Sequence, residues 1–308
     1  MINTLNEINE AAAKRPLDFI KECNAEYIDP ITEVAKKIEK DDDIIIVAIA
    51  GPSGSGKTTT AHILQNKLEE LGETTAVISL DDFYLTANNL PLMPDGSLDI
   101  ESVNSLDIPL INECFTQIIS SGKTSLPKYD FKTKTRIADA KQINIGNHGI
   151  VIVEGLHALN PLITDLVPRK NILKIYISVN RSVDDSNGVQ MLSSRQIRLI
   201  RRVLRDDRFR GSTATATLHL WNNVIDGERK YLYCFKNTAD VHLVTFHPYE
   251  LGVYRERFCK MRNTVGKNTP CYEYFIDTAN ALERFNAIDS TLVPEHSLIR
   301  EFIGELEK

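Results

Sequence analysis

The stretch that decides the fold is "GPSGSGKT", residues 51–58. It has the spacing GxxxxGK[ST], and it lies between the apolar run "IIIVAIA" (residues 44–50) and a segment with helical periodicity. A continuous apolar run bounded by charge and glycine is typical of a strand buried on both faces. Small residues let backbone N–H groups surround phosphate oxygens, and the start of the next helix adds its positive dipole end. The stretch therefore predicts a phosphate-binding loop.

Two side chains of this loop have predicted roles toward ATP and Mg²⁺. Lys57 is expected to reach the β- and γ-phosphates, and the Thr58 hydroxyl is expected to ligate Mg²⁺. A glycine turn without function is the alternative, which the flanking strand and helix disfavour. The remaining predicted ATP-binding residues of the loop are Gly51, Ser53, Gly54, Ser55, Gly56 and Thr59.

Further apolar segments alternate between strand and helix patterns along the chain. Strands are predicted at residues 75–80, 150–153, 173–179 and 240–245, in addition to 44–50. Helices are predicted at about 17–40, directly after the loop, before Gly122, at about 192–205 and over most of the C-terminal 60 residues. This alternation predicts an α/β fold with a mainly parallel sheet covered by helices on both faces.

Composition argues against several functions. The chain has 36 basic and 42 acidic residues, a net charge of −6, so a nucleic-acid-binding surface is not expected. No segment approaches the roughly 18 apolar residues that a membrane span needs, and no secretory signal is expected at the N-terminus. The five cysteines are scattered without zinc spacing, which predicts reduced thiols in a cytoplasmic protein.

Two acidic residues follow predicted strands, where ligands of parallel sheets collect. Asp81 in "SLDDFY" could orient an acceptor hydroxyl and take its proton, although a turn carboxylate is the alternative. Glu154 ends the strand in "VIVEGLHALN" and is predicted to support Mg²⁺, with a solvated strand-end charge as the alternative.

Seven arginines crowd into "RQIRLIRRVLRDDRFRG", residues 195–211. On a helix, Arg198, Arg202 and Arg205 share one face. A surface helix with salt bridges and a nucleic-acid patch are two interpretations. The third and favoured one is a lid whose guanidinium groups neutralise the charge of a transferred phosphoryl group.

These motifs together, and in this order, resemble the phosphoribulokinase/uridine kinase family from about Arg15 to the end. The matching stretches are "GPSGSGKTT", "SLDDFY", "LDIESVNSLD", "LPKYDF", "VIVEGLHALNP", "RRVLRDDRFRG" and "SLIREFIG". The closest resemblance is to bacterial-type uridine kinase-like proteins, whose longer members carry a synthetase-like N-terminal extension that this sequence is expected to lack.

The resemblance implies a P-loop NTPase fold of the NMP-kinase-like type, with an arginine-bearing lid. It also implies an ATP-dependent kinase. We therefore expect an N-terminal helical segment at 1–42, a kinase core with lid at 43–247 and a helical C-terminal addition at 248–308, packed on the core. A role of these C-terminal helices in a homo-oligomer stays open.

The resemblance also implies residue roles. Asp81 is then the base and a Mg²⁺-site residue, and Asp99 binds the ribose 2′- and 3′-hydroxyls. Arg205 and Arg210 are expected to face the phosphates. The predicted catalytic residues are Asp81, Lys57 and Arg205. Arg195, Arg198, Arg201 and Arg208 are expected to be helix surface, with the alternative that Arg208 compensates for a lid arginine that is missing at Ser212. The other predicted substrate-binding residues are Tyr84, Tyr129, Phe131, Lys134 and Arg202.

Three positions depart from the uridine-cytidine kinase pattern. Lys134 stands where those kinases have a base-recognising histidine, Ser212 replaces a lid arginine, and Leu220 aligns with a ribose-contacting glutamine. The expected activity is phosphorylation of the 5′-hydroxyl of a ribonucleoside, uridine or cytidine, as a small-molecule acceptor. The alternatives are another small alcohol or a sugar phosphate as acceptor, and a nucleotide-binding regulator with little turnover.

Overall fold

The computed structural model describes residues 2–93, 96–130, 133, 135–146, 148–165 and 167–304. Within these residues, the strands are β1 (Ile46–Ala50), β2 (Thr75–Ser79), β3 (Lys123–Asp130), β4 (Thr135–Asn144), β5 (Ile150–Glu154), β6 (Ile172–Ser178), β7 (Val183–Asp184), β8 (Gln190–Leu192) and β9 (Val241–Val244). The helices are α1 (Leu5–Lys14), α2 (Pro16–Glu39), α3 (Lys57–Glu70), α4 (Ile108–Ser121), α5 (Pro161–Thr164), α6 (Ser194–Phe209), α7 (Ala214–Tyr231), α8 (Glu250–Lys260), α9 (Tyr272–Leu282) and α10 (Arg300–Ile303).

The central sheet has five parallel strands in the order β2-β5-β1-β6-β9. All residues of β1 and β5 are buried, because helices cover both faces of the sheet. The predicted α/β fold of the P-loop NTPase type, with a parallel sheet flanked by helices, is confirmed. Each of the five strands predicted for the sheet is present, with boundaries that shift by two residues or fewer.

The register of the sheet brings three chain segments to one edge. Glu154 pairs with Ile49 on β1 and with Ser79 on β2. The loop after β1, the turn after β2 and the last residue of β5 therefore meet at the carboxyl end of the sheet. This edge is where parallel sheets bind ligands.

The terminal helices pack on the sheet rather than apart from it. Residues of α1, α2, α8 and α9 share one buried cluster with β1, α3 and α6. The Tyr27 and Thr60 hydroxyls lie 2.7 Å apart and join α2 to α3, while Thr59 donates to Glu301 of α10 at 2.7 Å. The predicted division of the chain into segments 1–42, 43–247 and 248–308 stays a prediction.

Two hairpins lie outside the central sheet. β3 and β4 pair antiparallel, and the stretch "LPKYD" lies on β3. The short β7–β8 pair precedes α6 and was not predicted. Among the described residues, no helix combines the length and apolar character needed to cross a bilayer.

Candidate active site

The phosphate-binding loop joins β1 to α3 through backbone conformations that favour glycine. Gly54 and Gly56 have φ of +73° and +87°. A Cβ at Gly56 would lie 2.4 Å from Cδ1 of Leu298, so the C-terminal segment packs directly on the loop. Lys57 begins α3, and its Nζ donates to the Pro52 carbonyl at 3.3 Å. The predicted ATP-binding residues of the loop are thus held together at the start of a helix.

Three arginines of α6 bind this loop. Arg198 Nη1 donates to the Ser53 carbonyl at 3.1 Å, and Arg201 Nη1 donates to the Gly54 carbonyl at 3.2 Å. Arg202 Nη1 donates to Ser53 Oγ at 2.7 Å. These bonds fix the position of the loop backbone relative to α6.

Arg198 and Arg201 are each neutralised by a buried glutamate. Arg198 forms a bidentate pair with Glu228 at 2.6 and 2.9 Å, and Glu228 also accepts from the Ser53 N–H at 2.8 Å. Arg201 pairs with Glu250 at 2.6 and 2.8 Å, with both side chains 0% exposed. Burial alone would lower the pKa of Arg201, but Glu250 outweighs burial and holds that pKa above its ordinary value.

The expectation that Arg198 and Arg201 are helix surface is therefore wrong. Both lie inside the protein because their partners, on α7 and at the start of α8, cover them. Arg195 is exposed, as expected. Arg208 is also exposed, and it approaches Gly304 closely enough that a Cβ there would meet its guanidinium.

Arg202, predicted for the substrate site, and the lid arginines Arg205 and Arg210 all converge on Asp206. Its carboxylate lies 2.9 Å from Arg205 Nη2, 3.4 Å from Arg202 Nε and 3.7 Å from Arg210 Nε, and the residue is 4% exposed. Burial alone would raise the pKa of Asp206, but the three guanidinium groups outweigh burial and hold it below its ordinary value. Asp206 thus holds three guanidinium groups close together, and an ATP phosphate could interact with the same groups.

Asp81 and Asp82 lie in a 3₁₀ turn after β2 but face different surroundings. Asp82 pairs with Lys128 at 3.0 Å and accepts from the Tyr129 N–H at 3.3 Å, so it links the turn to β3. The Asp81 carboxylate forms no hydrogen bond or ion pair with any described residue. Its charge acts on Glu154, on Arg210 and on Tyr84, so Asp81 lies among the predicted site residues.

Glu154 is buried at the end of β5. It accepts hydrogen bonds from Ser79 Oγ at 2.7 Å and from Thr58 Oγ1 at 3.3 Å. Burial raises its pKa well above the ordinary value, and the nearby Asp81 charge raises it further. The described residues contain no cluster of three His, Cys, Asp or Glu suited to a metal. One hydroxyl and two carboxylates nevertheless fit Mg²⁺, which keeps waters and uses substrate phosphates to complete its shell.

Three tyrosines belong to the predicted acceptor region around Asp99 and the turn that holds Asp81. The rings of Tyr84 and Tyr129 lie 5.6 Å apart at 50°, and Tyr84 donates to the Ile100 carbonyl at 3.2 Å. Tyr231 of α7 donates to Asp99 Oδ2 at 3.3 Å. The predicted contacts of Phe131 and Lys134 lie outside the described residues.

Several polar residues of this region were not predicted. Glu101 lies beside Arg202, and burial raises its pKa to about 7. His157 contacts the Tyr231 ring, with ring centroids 5.7 Å apart. His157 follows Glu154 by three residues, and this position at a strand end was a usable signal. Glu228 and Glu250 gave no such signal, because they lie 30 and 49 residues from the arginines that they pair.

Comparison with known proteins identifies a family that this chain matches. Residues 46–248 match the model of the phosphoribulokinase / uridine kinase family, which is more than half of the chain. A uridine kinase of Lactobacillus helveticus (strain DPC 4571) is 28% identical over 204 residues, which is 63% of this chain and 85% of that protein. A uridine kinase of Mycoplasma genitalium is 29% identical over 185 residues, 60% of this chain and 77% of that one.

A solved structure described as a possible uridine kinase from Bacillus stearothermophilus is also similar. It has a TM-score of 0.45 at 18% identity, and the match covers 65% of this chain and 88% of that one. The predictions of the family and of an ATP-dependent kinase are confirmed. The chain belongs to the phosphoribulokinase/uridine kinase family, as an ATP-dependent kinase that acts on a nucleoside or another small alcohol.

Proposed function

We propose that the protein transfers the γ-phosphoryl group of ATP to the 5′-hydroxyl of a ribonucleoside, with uridine and cytidine as the expected acceptors. The observation that carries the proposal is the position of Asp81. This carboxylate has no hydrogen-bond partner among the described residues, and its charge acts both on Glu154, which accepts from Thr58 of the loop, and on His157, on which the charge of Asp99 also acts. Relatives named uridine kinase support the choice of a nucleoside.

The phosphate end of the reaction is assigned to the loop and to α6. Backbone N–H groups of the loop and Lys57 bind the phosphates, while Arg205 and Arg210 stabilise charge on the transferred group. Thr58, Asp81 and Glu154 would hold Mg²⁺, which neutralises phosphate charge when it is bound. Arg198 and Arg201 hydrogen-bond carbonyl groups of the loop and hold its backbone in position. The loop therefore needs little rearrangement when ATP binds.

The acceptor end is assigned to residues on the other side of Asp81. Asp81 accepts a hydrogen bond from the 5′-hydroxyl and takes its proton as transfer proceeds. Asp99 accepts from the 2′- and 3′-hydroxyls, which orients the sugar. Tyr129 contacts the base, Tyr84 lines the site, and Arg202 lies near the acceptor.

The charges of this region support a neutral acceptor over a sugar phosphate. The charges of two carboxylates, Asp81 and Asp99, act on the ring of His157, and the charge of Asp81 also acts on Glu101. A phosphate on the acceptor would lie near these negative charges, which would repel it unless Arg202 were redirected from Asp206.

The test is acceptor-dependent ADP release with Mg·ATP and a panel of uridine, cytidine, adenosine, guanosine, ribulose 5-phosphate and pantothenate. We expect turnover with a ribonucleoside and its loss in Lys57→Ala, which controls for contaminating kinases. Turnover only with ribulose 5-phosphate or pantothenate would show that the acceptor is a sugar phosphate or another small alcohol and not a nucleoside. ATP binding without turnover on any acceptor would support a regulator instead.

A further inference from the structure

His157 is a buried histidine whose hydrogen-bonding capacity is unused. It lies just beyond the carboxyl end of β5 and is 3% exposed. Neither Nδ1 nor Nε2 has a hydrogen-bond partner among the described residues. A buried polar group left unpaired destabilises the protein, and such groups usually indicate a function or a missing partner. The ring therefore requires an explanation beyond packing.

The surroundings place this ring beside Asp99. The rings of His157 and Tyr231 pack in a T-shaped arrangement with an interplanar angle of 69°, and Tyr231 donates to Asp99 Oδ2 at 3.3 Å. The main chain of Glu101 approaches the ring without forming a geometrically acceptable hydrogen bond. The charges of Asp81 and Asp99 both reach the ring. His157 is thus under the influence of both the proposed base and the carboxylate assigned to the sugar diol.

The ionisation state of the ring suits a hydroxyl partner. Burial lowers the pKa of His157 to about 4, although the main chain of Glu101 and the charges of Asp81 and Asp99 act in the opposite direction. The imidazole is therefore neutral at pH 7 and has one N–H donor and one acceptor nitrogen. A sugar hydroxyl has the complementary pair, since it donates one proton and accepts another.

We propose that His157 hydrogen-bonds a ring hydroxyl of the acceptor sugar and, together with Asp99, selects a ribose over a sugar that lacks one of its hydroxyls. This inference rests on the proposed function, because it assigns the acceptor of the same site. His157 is a specificity-determining residue in this account, and Tyr231 positions both His157 and Asp99. A trapped water on His157 is the competing explanation.

The experiment is a cycle that changes the residue and the ligand separately. Affinities of uridine, 2′-deoxyuridine and 3′-deoxyuridine are measured by calorimetry with a nonhydrolysable ATP analogue, for the wild type and for His157→Leu. We expect about a tenfold loss of uridine affinity in the variant, because one hydrogen bond is lost and a sugar hydroxyl is left unpaired. For the deoxynucleoside that lacks the contacted hydroxyl, the substitution should have no further effect.

Two more variants separate hydrogen bonding from packing. His157→Gln and His157→Asn keep a donor and an acceptor, so at least one of them should recover part of the uridine affinity. If His157→Leu does not fold, the same comparison of uridine with the two deoxynucleosides is made with these two variants. The control is His219→Leu, an exposed histidine on α7, which should bind all three ligands as the wild type does.

Equal losses for uridine and both deoxynucleosides, or unchanged affinities, would overturn the inference and favour packing or a trapped water. Failure of the proposed function has a different signature. In that case the wild type itself binds no nucleoside, which overturns both proposals before any variant is compared.

Discussion

Arg201 and Glu250 form a bidentate ion pair that is fully buried, and the same guanidinium holds the Gly54 carbonyl of the phosphate-binding loop. It also donates to the Thr245 carbonyl at 2.6 Å and lies 5.1 Å from the Phe302 ring centroid. One side chain thereby connects the loop, the end of β9 and the C-terminal segment. The crowding of arginines on α6 is explained in part by this internal role.

Removing one partner of this pair should destabilise the fold. Arg201→Met leaves the Glu250 charge buried without its partner, so we expect a loss of about 3–5 kcal/mol in the free energy of unfolding. Urea denaturation measures this loss. The double variant Arg201→Met/Glu250→Leu should recover part of it, while the exposed Arg195→Ala should change stability by less than about 0.5 kcal/mol. A single variant as stable as the wild type would contradict the account.

Arg205 should matter for turnover rather than for folding. Its guanidinium shares Asp206 with two other arginines on the side of the loop where the phosphates are assigned. Arg205→Ala should lower kcat by about 10²–10³-fold, since it removes charge stabilisation from the transferred group. Steady-state kinetics with saturating ATP checks this, with Arg195→Ala as the matched control. Equal kinetics for both variants would contradict a role of Arg205 in stabilising the transferred group.

His247 should make stability depend on pH. It is fully buried, and its Nδ1 lies 3.0 Å from the Thr245 carbonyl. Burial and the nearby Arg201 lower its pKa to about 3, whereas an unfolded histidine titrates near 6.5. The unfolded chain therefore binds the extra proton between these values, and the stability contribution present above about pH 6.5 is lost as pH falls toward 3.

From pH 7 to pH 5 the wild type should lose about 2 kcal/mol of stability relative to His247→Asn. Denaturation curves at several pH values measure the difference. His219→Asn, an exposed histidine variant, should follow the wild type. Parallel profiles for the wild type and His247→Asn would show that His247 is not held neutral.

The neighbouring carboxylates Asp81 and Asp82 provide a matched pair for catalysis. Asp81→Asn should lower kcat by about 10²–10⁴-fold, because it removes the proposed base while it keeps the shape of the side chain. Asp82→Asn weakens a surface pair with Lys128, so it should leave kcat within a few-fold of the wild type. Coupled measurement of ADP release compares the two. Full activity of Asp81→Asn would refute the assignment of the base.

The sheet and the phosphate-binding loop were predictable because their signals are local. The apolar run at residues 44–50 and the glycines that follow it determine a strand, a turn and a helix within about 30 residues. The positions of Asp81 and Glu154 at strand ends then follow from the topology of a parallel sheet.

The partners of the arginines could not be predicted in the same way. A charge on an amphipathic helix is expected to face solvent, and the pattern of α6 does not reveal that Glu228 and Glu250 cover it from other helices. Arg198 and Arg201 were therefore misplaced, and no sequence signal indicated that Asp206 lies buried beside Arg202, Arg205 and Arg210. The hairpin β7–β8 was also missed, because its strands are only two and three residues long.

The most direct test of the central claim compares uridine with 5′-deoxyuridine, which lacks only the proposed acceptor hydroxyl. Both are incubated with Mg·ATP and the wild-type protein, and products are identified by mass spectrometry and ³¹P NMR. The account predicts a 5′-monophosphate from uridine and no phosphorylated product from 5′-deoxyuridine, although the latter should inhibit the reaction of uridine. A phosphorylated product from 5′-deoxyuridine, or none from any ribonucleoside, would contradict it.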